Sequence, residues 1–156
     1  MTRRTDESGT DPVLEFEGVT VGYEDPVVTD VSFSVGVGEV VGLLGPNGVG
    51  KTTLLKCATG LLDPMSGSVT IGSVPLGSLT REDVAREIGY VPQNETTVFP
   101  RTVFRTVLMG RKPHFGSRPG ERDRAVVATI LERLDIGDLA MRDVGSLSGG
   151  QRQKVV

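Results

Sequence analysis

The chain has 156 residues, 37% hydrophobic and 24% charged, a balance that excludes a disordered or membrane-embedded protein and describes a globular one. Its formal charge of −3 offers no basic surface for DNA or RNA, and no apolar stretch approaches the roughly 20 residues needed to cross a bilayer. A lone cysteine, Cys57, cannot form an internal disulfide, and 21 glycines, about twice the average usage, imply many turns and close approaches of backbone to a ligand.

Residues 1–12 (MTRRTDESGTDP) lack the apolar core of a signal peptide and read as a disordered polar tail. Val13–Tyr23 alternates apolar and polar residues, interrupted at Gly18, which predicts a half-buried strand with a bulge or turn. Val27–Val37 repeats the alternation through Val31, Phe33 and Val35. Glu39–Leu44 is a nearly unbroken apolar run, suited to a strand buried on both faces of a parallel sheet. Lys51–Leu61 has no helix breaker and stops at Gly60, so a helix is expected there. Asp63, Pro64, Ser66 and Gly67 predict a turn, and Ser68–Ile71 a short strand.

Thr80, followed by Glu82 and Asp83, predicts a capped helix whose first-turn acids oppose the positive end of the dipole. Ile88–Val91 is expected as a further short strand. Thr102–Met109 and Glu121–Leu134 are expected helices. In the second, Val127, Ile130, Leu131 and Leu134 fall on one face. Arg111–Gly120 between them reads as a loop. Ser148 is expected to cap a last helix starting at Gly149.

Two segments carry chemistry. Gly45-Pro-Asn-Gly-Val-Gly-Lys-Thr52 matches G-x-x-x-x-G-K-S/T between an expected strand and an expected helix. Its glycines let backbone N–H groups converge on a polyphosphate, and the helix start adds unpaired N–H groups and a positive dipole end. Lys51 supplies an ammonium to the β and γ phosphates, and the Thr52 hydroxyl is a hard oxygen ligand for Mg²⁺. The alternative is a glycine-rich turn that matches by accident. The other segment, Leu147-Ser-Gly-Gly-Gln151, reads on local physics as a capping box, Ser148 at the N-cap with Gln151 three residues on. Its paired glycines equally suggest exposed backbone donors and a second anion site.

Together these segments resemble the phosphate loop and signature motif of ATP-binding-cassette (ABC) ATPases. Ser148 follows Lys51 by 97 residues (148 − 51), similar to transporter subunits with a compact helical subdomain and too short for the coiled coils of chromosome-maintenance and repair relatives. Tyr23, in VGYEDPVVTDVSFSV, resembles the aromatic residue that stacks on adenine; alone, it reads as strand surface. Gln93, in IGYVPQ, resembles the lid glutamine that links γ-phosphate and Mg²⁺ to the membrane partner; alone, it reads as polar loop. Val107–Gly116 (VLMGRKPHFG) looks like a segment of importers of iron–siderophore complexes, haem and cobalamin, the alternative being a solvated basic loop. His114 precedes the signature, so it does not match the family's switch histidine, and Cys57 reads as a small core residue.

The resemblance spans residues 13–156. It implies an α/β P-loop NTPase core with an antiparallel β subdomain and a helical subdomain at about 95–150, incomplete at the C-terminus. ATP and Mg²⁺ are the implied cofactors. Tyr23 would stack on the base, while Gly45, Pro46, Asn47, Gly48, Val49, Gly50, Lys51, Thr52 and Thr53 would hold phosphates. Thr52 and Gln93 would serve Mg²⁺, and Lys51 and Gln93 would be catalytic. Ser148, Gly149, Gly150 and Gln151 would complete the site of a second ATP-binding subunit, most simply in a homodimer. The implied partners are transmembrane permease subunits, with the chain a peripheral protein on the cytoplasmic face of the membrane, neither inserted in it nor bound to nucleic acid. The implied function is to couple ATP binding and hydrolysis to solute uptake.

In the family an apolar strand ending in an aspartate for Mg²⁺, a water-polarising glutamate and a switch histidine follow the signature. No apolar run followed by Asp-Glu occurs in the 156 residues. The chain is therefore expected to be the N-terminal portion of a longer protein, from a truncated product or an incomplete record. Alone it should be poorly stable and should lack the rate factor of about 10²–10⁴ that general-base assistance supplies. Two other functions remain open: a non-hydrolysing nucleotide-binding or interaction fragment, and a soluble ABC ATPase of repair or translation.

Overall fold

The computed structural model describes residues 12–92 and 100–155. The chain divides into two compact units, one up to Ile88 and one from Gly89. The expected tail and Gln93 fall on residues 1–11 and 93–99, outside the described residues.

In the first unit, β1 (Leu14–Gly22), β2 (Pro26–Val35), β3 (Ser66–Ile71) and β4 (Val74–Pro75) form an antiparallel sheet in the order β2-β1-β3-β4. The expected break at Gly18 is a bulge. Phe16 and Val19 are both buried although they stand three positions apart, so strict alternation cannot put both on one face. The register shifts between them against β2, Gly18 takes a left-handed φ of 56°, and its N–H donates to Ser32 Oγ at 2.9 Å. This extra residue resets the alternation so that Val19 and Val21 join Phe16 in the core. Phe16 stacks on Phe33 of β2 with ring centroids 4.6 Å apart.

Helix α1 (Lys51–Ala58) lies against this sheet and buries Leu54 and Cys57 among Phe16, Val19, Val21, Val69 and Ile71. It is shorter than the expected Lys51–Leu61. A Schellman turn ends it: Gly60 (φ 65°) donates to the Cys57 carbonyl at 3.1 Å and Leu61 to the Lys56 carbonyl at 2.9 Å. Helix α2 (Arg81–Glu87) starts after Thr80 as expected, and the structure adds a reciprocal capping box. Thr80 Oγ1 accepts from the Asp83 N–H, and Asp83 Oδ2 accepts from the Thr80 N–H, each at 3.2 Å.

Two expected strands do not form. Residues 39–44 belong to no ladder, and Val40 and Leu44 are each 95% exposed instead of doubly buried; only Leu43 packs on the core. Residues 88–91 are also outside any ladder. A strand exists through hydrogen bonds to its lateral neighbours, and among the described residues no strand runs beside either segment.

In the second unit, α3 (Val103–Met109) packs on α4 (Glu121–Arg133), and α5 (Gly149–Gln153) follows. Thr102 caps α3, accepting from the Arg105 N–H. The core gathers Val103, Val127, Leu131, Ile136, Leu139, Val144, Leu147 and Val155. The expected four-residue face of α4 is narrower: Val127 and Leu131 are buried, but Ile130 and Leu134 are exposed. Arg111–Gly120 contains a single 3₁₀ turn, Lys112–His114, and Arg111 pairs with Asp123 on α4 at 3.2 Å. Among the described residues no helix is long and apolar enough to cross a membrane.

Candidate functional site

The loop between Leu44 and α1 is shaped by three glycines with positive φ: Gly45 at 156°, Gly48 at 84° and Gly50 at 98°. Gly50 is the N-cap of α1 and offers no side chain to the first-turn N–H groups, which therefore stay available to an external acceptor. Packing fixes its position. A β-carbon there would run into Val28 Cγ2 and lie 3.0 Å from Val27 Cγ1, so only glycine lets α1 start this close to β2. Gly48 faces open space.

The Lys51 ammonium folds back over the loop, donating to the carbonyls of Gly45 at 2.8 Å and Pro46 at 2.7 Å. Among the described residues no carboxylate pairs with it. A cation anchored by neutral carbonyls beside unpaired helix N–H groups is a donor set that fits a polyphosphate. Asn47, Val49 and Thr52 are exposed, and the Thr52 hydroxyl stands on the first turn of α1 as an oxygen donor. Thr53 is buried at 8% exposure, so its side chain belongs to the core side of α1 and its backbone alone reaches the loop. Among the described residues no group of three His, Cys, Asp or Glu side chains could hold a metal. A divalent cation here would arrive with most of its oxygen ligands on the nucleotide, which is how Mg²⁺ is commonly bound.

Tyr23, just beyond β1, is 61% exposed. Its hydroxyl accepts a hydrogen bond from Lys56 Nζ of α1 at 3.0 Å. Sequence reasoning missed Lys56. Its one local signal is a basic residue in the last turn of the helix, and nothing in the chain order links it to position 23. Cys57, one residue on, is buried, and burial pushes its thiol above the usual range, with the Asp63 charge adding to the effect. This is an inert core thiol, as expected.

In the second unit, Ser148 and Gln151 form the expected capping box. Ser148 Oγ accepts from the Gln151 N–H at 3.3 Å, and Gln151 Oε1 accepts from the Ser148 N–H at 3.1 Å. Gln151 is thereby committed to the helix start. Gly149 and Gly150 are exposed, with open space where a β-carbon would project, so the first turn of α5 presents bare backbone. Arg111, in the basic stretch after α3, is bound to Asp123, while His114 is exposed.

The chain is similar to known proteins. A family model described as ABC transporter matches residues 28–156. A manganese transport system ATP-binding protein of Listeria monocytogenes is 37% identical over 147 residues, covering 91% of this chain and 59% of its own length. A cobalamin import ATP-binding protein of Halobacterium salinarum is 40% identical over 130 residues, 83% of this chain and 33% of its own. A crystal structure of a nucleotide-free ATP-binding cassette from an ABC transporter superposes with a TM-score of 0.79 at 28% identity, covering 92% of this chain and 62% of that one. The chain thus spans less than two thirds of the length of each of these relatives.

Proposed function

The chain belongs to the ABC transporter family and has its α/β P-loop ATPase fold, and from that premise we propose that it is the ATP-binding part of an importer, coupling ATP binding and hydrolysis to solute uptake. The observation that carries the proposal is Lys51. Its ammonium sits on the carbonyls of Gly45 and Pro46 at the mouth of a helix whose N-cap has no side chain. In this reading Gly45–Thr53 hold the phosphates of ATP, and Tyr23 stacks on the base. Thr52 and Gln93 are oxygen ligands of Mg²⁺, which shields phosphate charge when bound. Lys51 keeps a positive charge against the β and γ phosphates, and α1 directs its free N–H groups at the same oxygens.

Residues 13–156 form one ABC ATPase domain in this proposal, with its helical subdomain at about 95–150. The bare first turn at Ser148, Gly149 and Gly150 faces nucleotide held by a second ATP-binding subunit, a homodimer in the simplest case. Gln151 supports that turn through the Ser148 N–H. Transmembrane permease subunits are the partners, and the site of action is the cytoplasmic face of the membrane.

For the solute, we propose an iron–siderophore complex, haem or cobalamin. The Val107–Gly116 segment and the 40% identity to a cobalamin import protein support this, while the manganese relative marks the competing class. Calorimetry of the full chain with Mg·ATP tests the nucleotide proposal: saturable uptake lost in Lys51→Ala supports it, and no uptake with or without magnesium overturns it. Uptake assays with cobalamin, haem, ferric siderophore and manganese, in cells carrying the encoding gene or lacking it, decide the solute.

A further inference from the structure

We propose that Lys56 is a positioning residue for nucleotide binding, holding the Tyr23 ring as a fixed platform for the base; this rests on the proposed stacking role of Tyr23. Lys56 Nζ lies 3.0 Å from the Tyr23 hydroxyl but 5.6 Å from the ring centroid. The two distances differ by nearly the whole length from ring centre to phenolic oxygen. The ammonium therefore lies out beyond the hydroxyl, along the C–O axis, rather than above the ring, and it does not cover the face that a base would use. The contact is a charge-assisted hydrogen bond to the ring's edge.

Both partners are anchored at the backbone. Lys56 occupies the turn that ends α1, where its carbonyl accepts from the N–H groups of Leu61 at 2.9 Å and Leu62 at 3.2 Å. Tyr23 follows Gly22, which is buried and lies so close to the Asp25 carbonyl that a β-carbon would not fit. Between these fixed points, an exposed tyrosine would otherwise move among rotamers, and ordering it on binding would cost affinity. The hydrogen bond removes much of that cost in advance.

The same helix carries both ends of the arrangement. Lys51 opens α1 at the phosphate loop, and Lys56 stands five residues along it, about 7.5 Å further on at the helical rise. Through Lys56, α1 sets the distance from the base platform to the phosphate cradle. The consequence is selective: Lys56 strengthens binding of ligands that carry a base and leaves bare polyphosphate unaffected.

The experiment measures affinity of the full chain for Mg·ATP and for magnesium tripolyphosphate, in wild type and in Lys56→Met, Lys56→Arg, Tyr23→Phe, Tyr23→Ala and the double variant Lys56→Met/Tyr23→Phe. Lys56→Met and Tyr23→Phe should each weaken ATP by about three- to tenfold. The double variant should be no weaker than either single one. Lys56→Arg should stay within about twofold of wild type, because guanidinium also donates to the hydroxyl. Tripolyphosphate affinity should be unchanged throughout. An unchanged ATP affinity in Lys56→Met, with Tyr23→Ala weakened, overturns the role of Lys56 and leaves stacking intact. Equal losses for ATP and tripolyphosphate also overturn it, since Lys56 would then act on phosphate or on the fold. No effect of Tyr23→Ala removes the stacking proposal itself.

Discussion

Gly50 and Val28 leave no room between them: a β-carbon at position 50 would clash with Val28 Cγ2. The N-terminus of α1 is thus set by contact with β2, and the phosphate loop inherits its shape from the packing of a strand it is not part of.

Gly50→Ala is therefore expected to be costly for two separate reasons, a left-handed φ of 98° and the overlap with Val28. Together these should destabilise the first unit by about 2 kcal/mol or more. Gly48→Ala carries only the conformational strain, because its β-carbon would point into open space, and should cost about 1 kcal/mol. Thermal or urea melts of the two variants compare them, and equal losses would contradict the packing argument.

Lys51→Ala should lower affinity for Mg·ATP by about ten- to a hundredfold, the size expected when a charge-assisted contact to phosphate is lost. Calorimetric titration of wild type and variant with Mg·ATP measures the loss, and equal affinities would contradict it.

Asp123 supplies a pH signature in the second unit. The Gly120 N–H at 3.0 Å holds its carboxyl below the ordinary value of 3.8, with Arg111 assisting and burial opposing. A folded pKa below the unfolded one makes the stabilisation complete above about pH 4. It is lost as the pH falls from there through the folded pKa. Asp123→Asn should lower the melting temperature at pH 7 and flatten its decline between about pH 5 and 2. Parallel acid curves for wild type and variant would exclude this contribution.

Cys57 is the chain's only thiol and is fully buried with its pKa raised. Alkylation by iodoacetamide at pH 8 should be slow in the native protein and should approach the rate of a free thiol in denaturant. Because Cys57 lies on the core-facing side of α1, its labelling rate reports opening of that unit alone. Rapid native labelling would contradict the protection that this burial implies.

What the sequence determined by itself is the set of structures that close within a few residues. The cap at Thr80, the capping box at Ser148/Gln151, the bulge at Gly18 and the glycine loop into α1 were legible because each depends on neighbours in the chain and on conformations that particular residues allow. What only the tertiary structure decided depends on groups far apart in sequence. The apolar run at 39–44 has strand composition but no lateral partner among the described residues, so composition could not make it a strand. Ile130 and Leu134 have helical spacing, but the core reaches only Val127 and Leu131. The bond from Lys56 to Tyr23 joins two residues that no local rule connects. Local conformational preference is written in the order of residues, whereas burial and cross-chain hydrogen bonds exist only once distant segments meet.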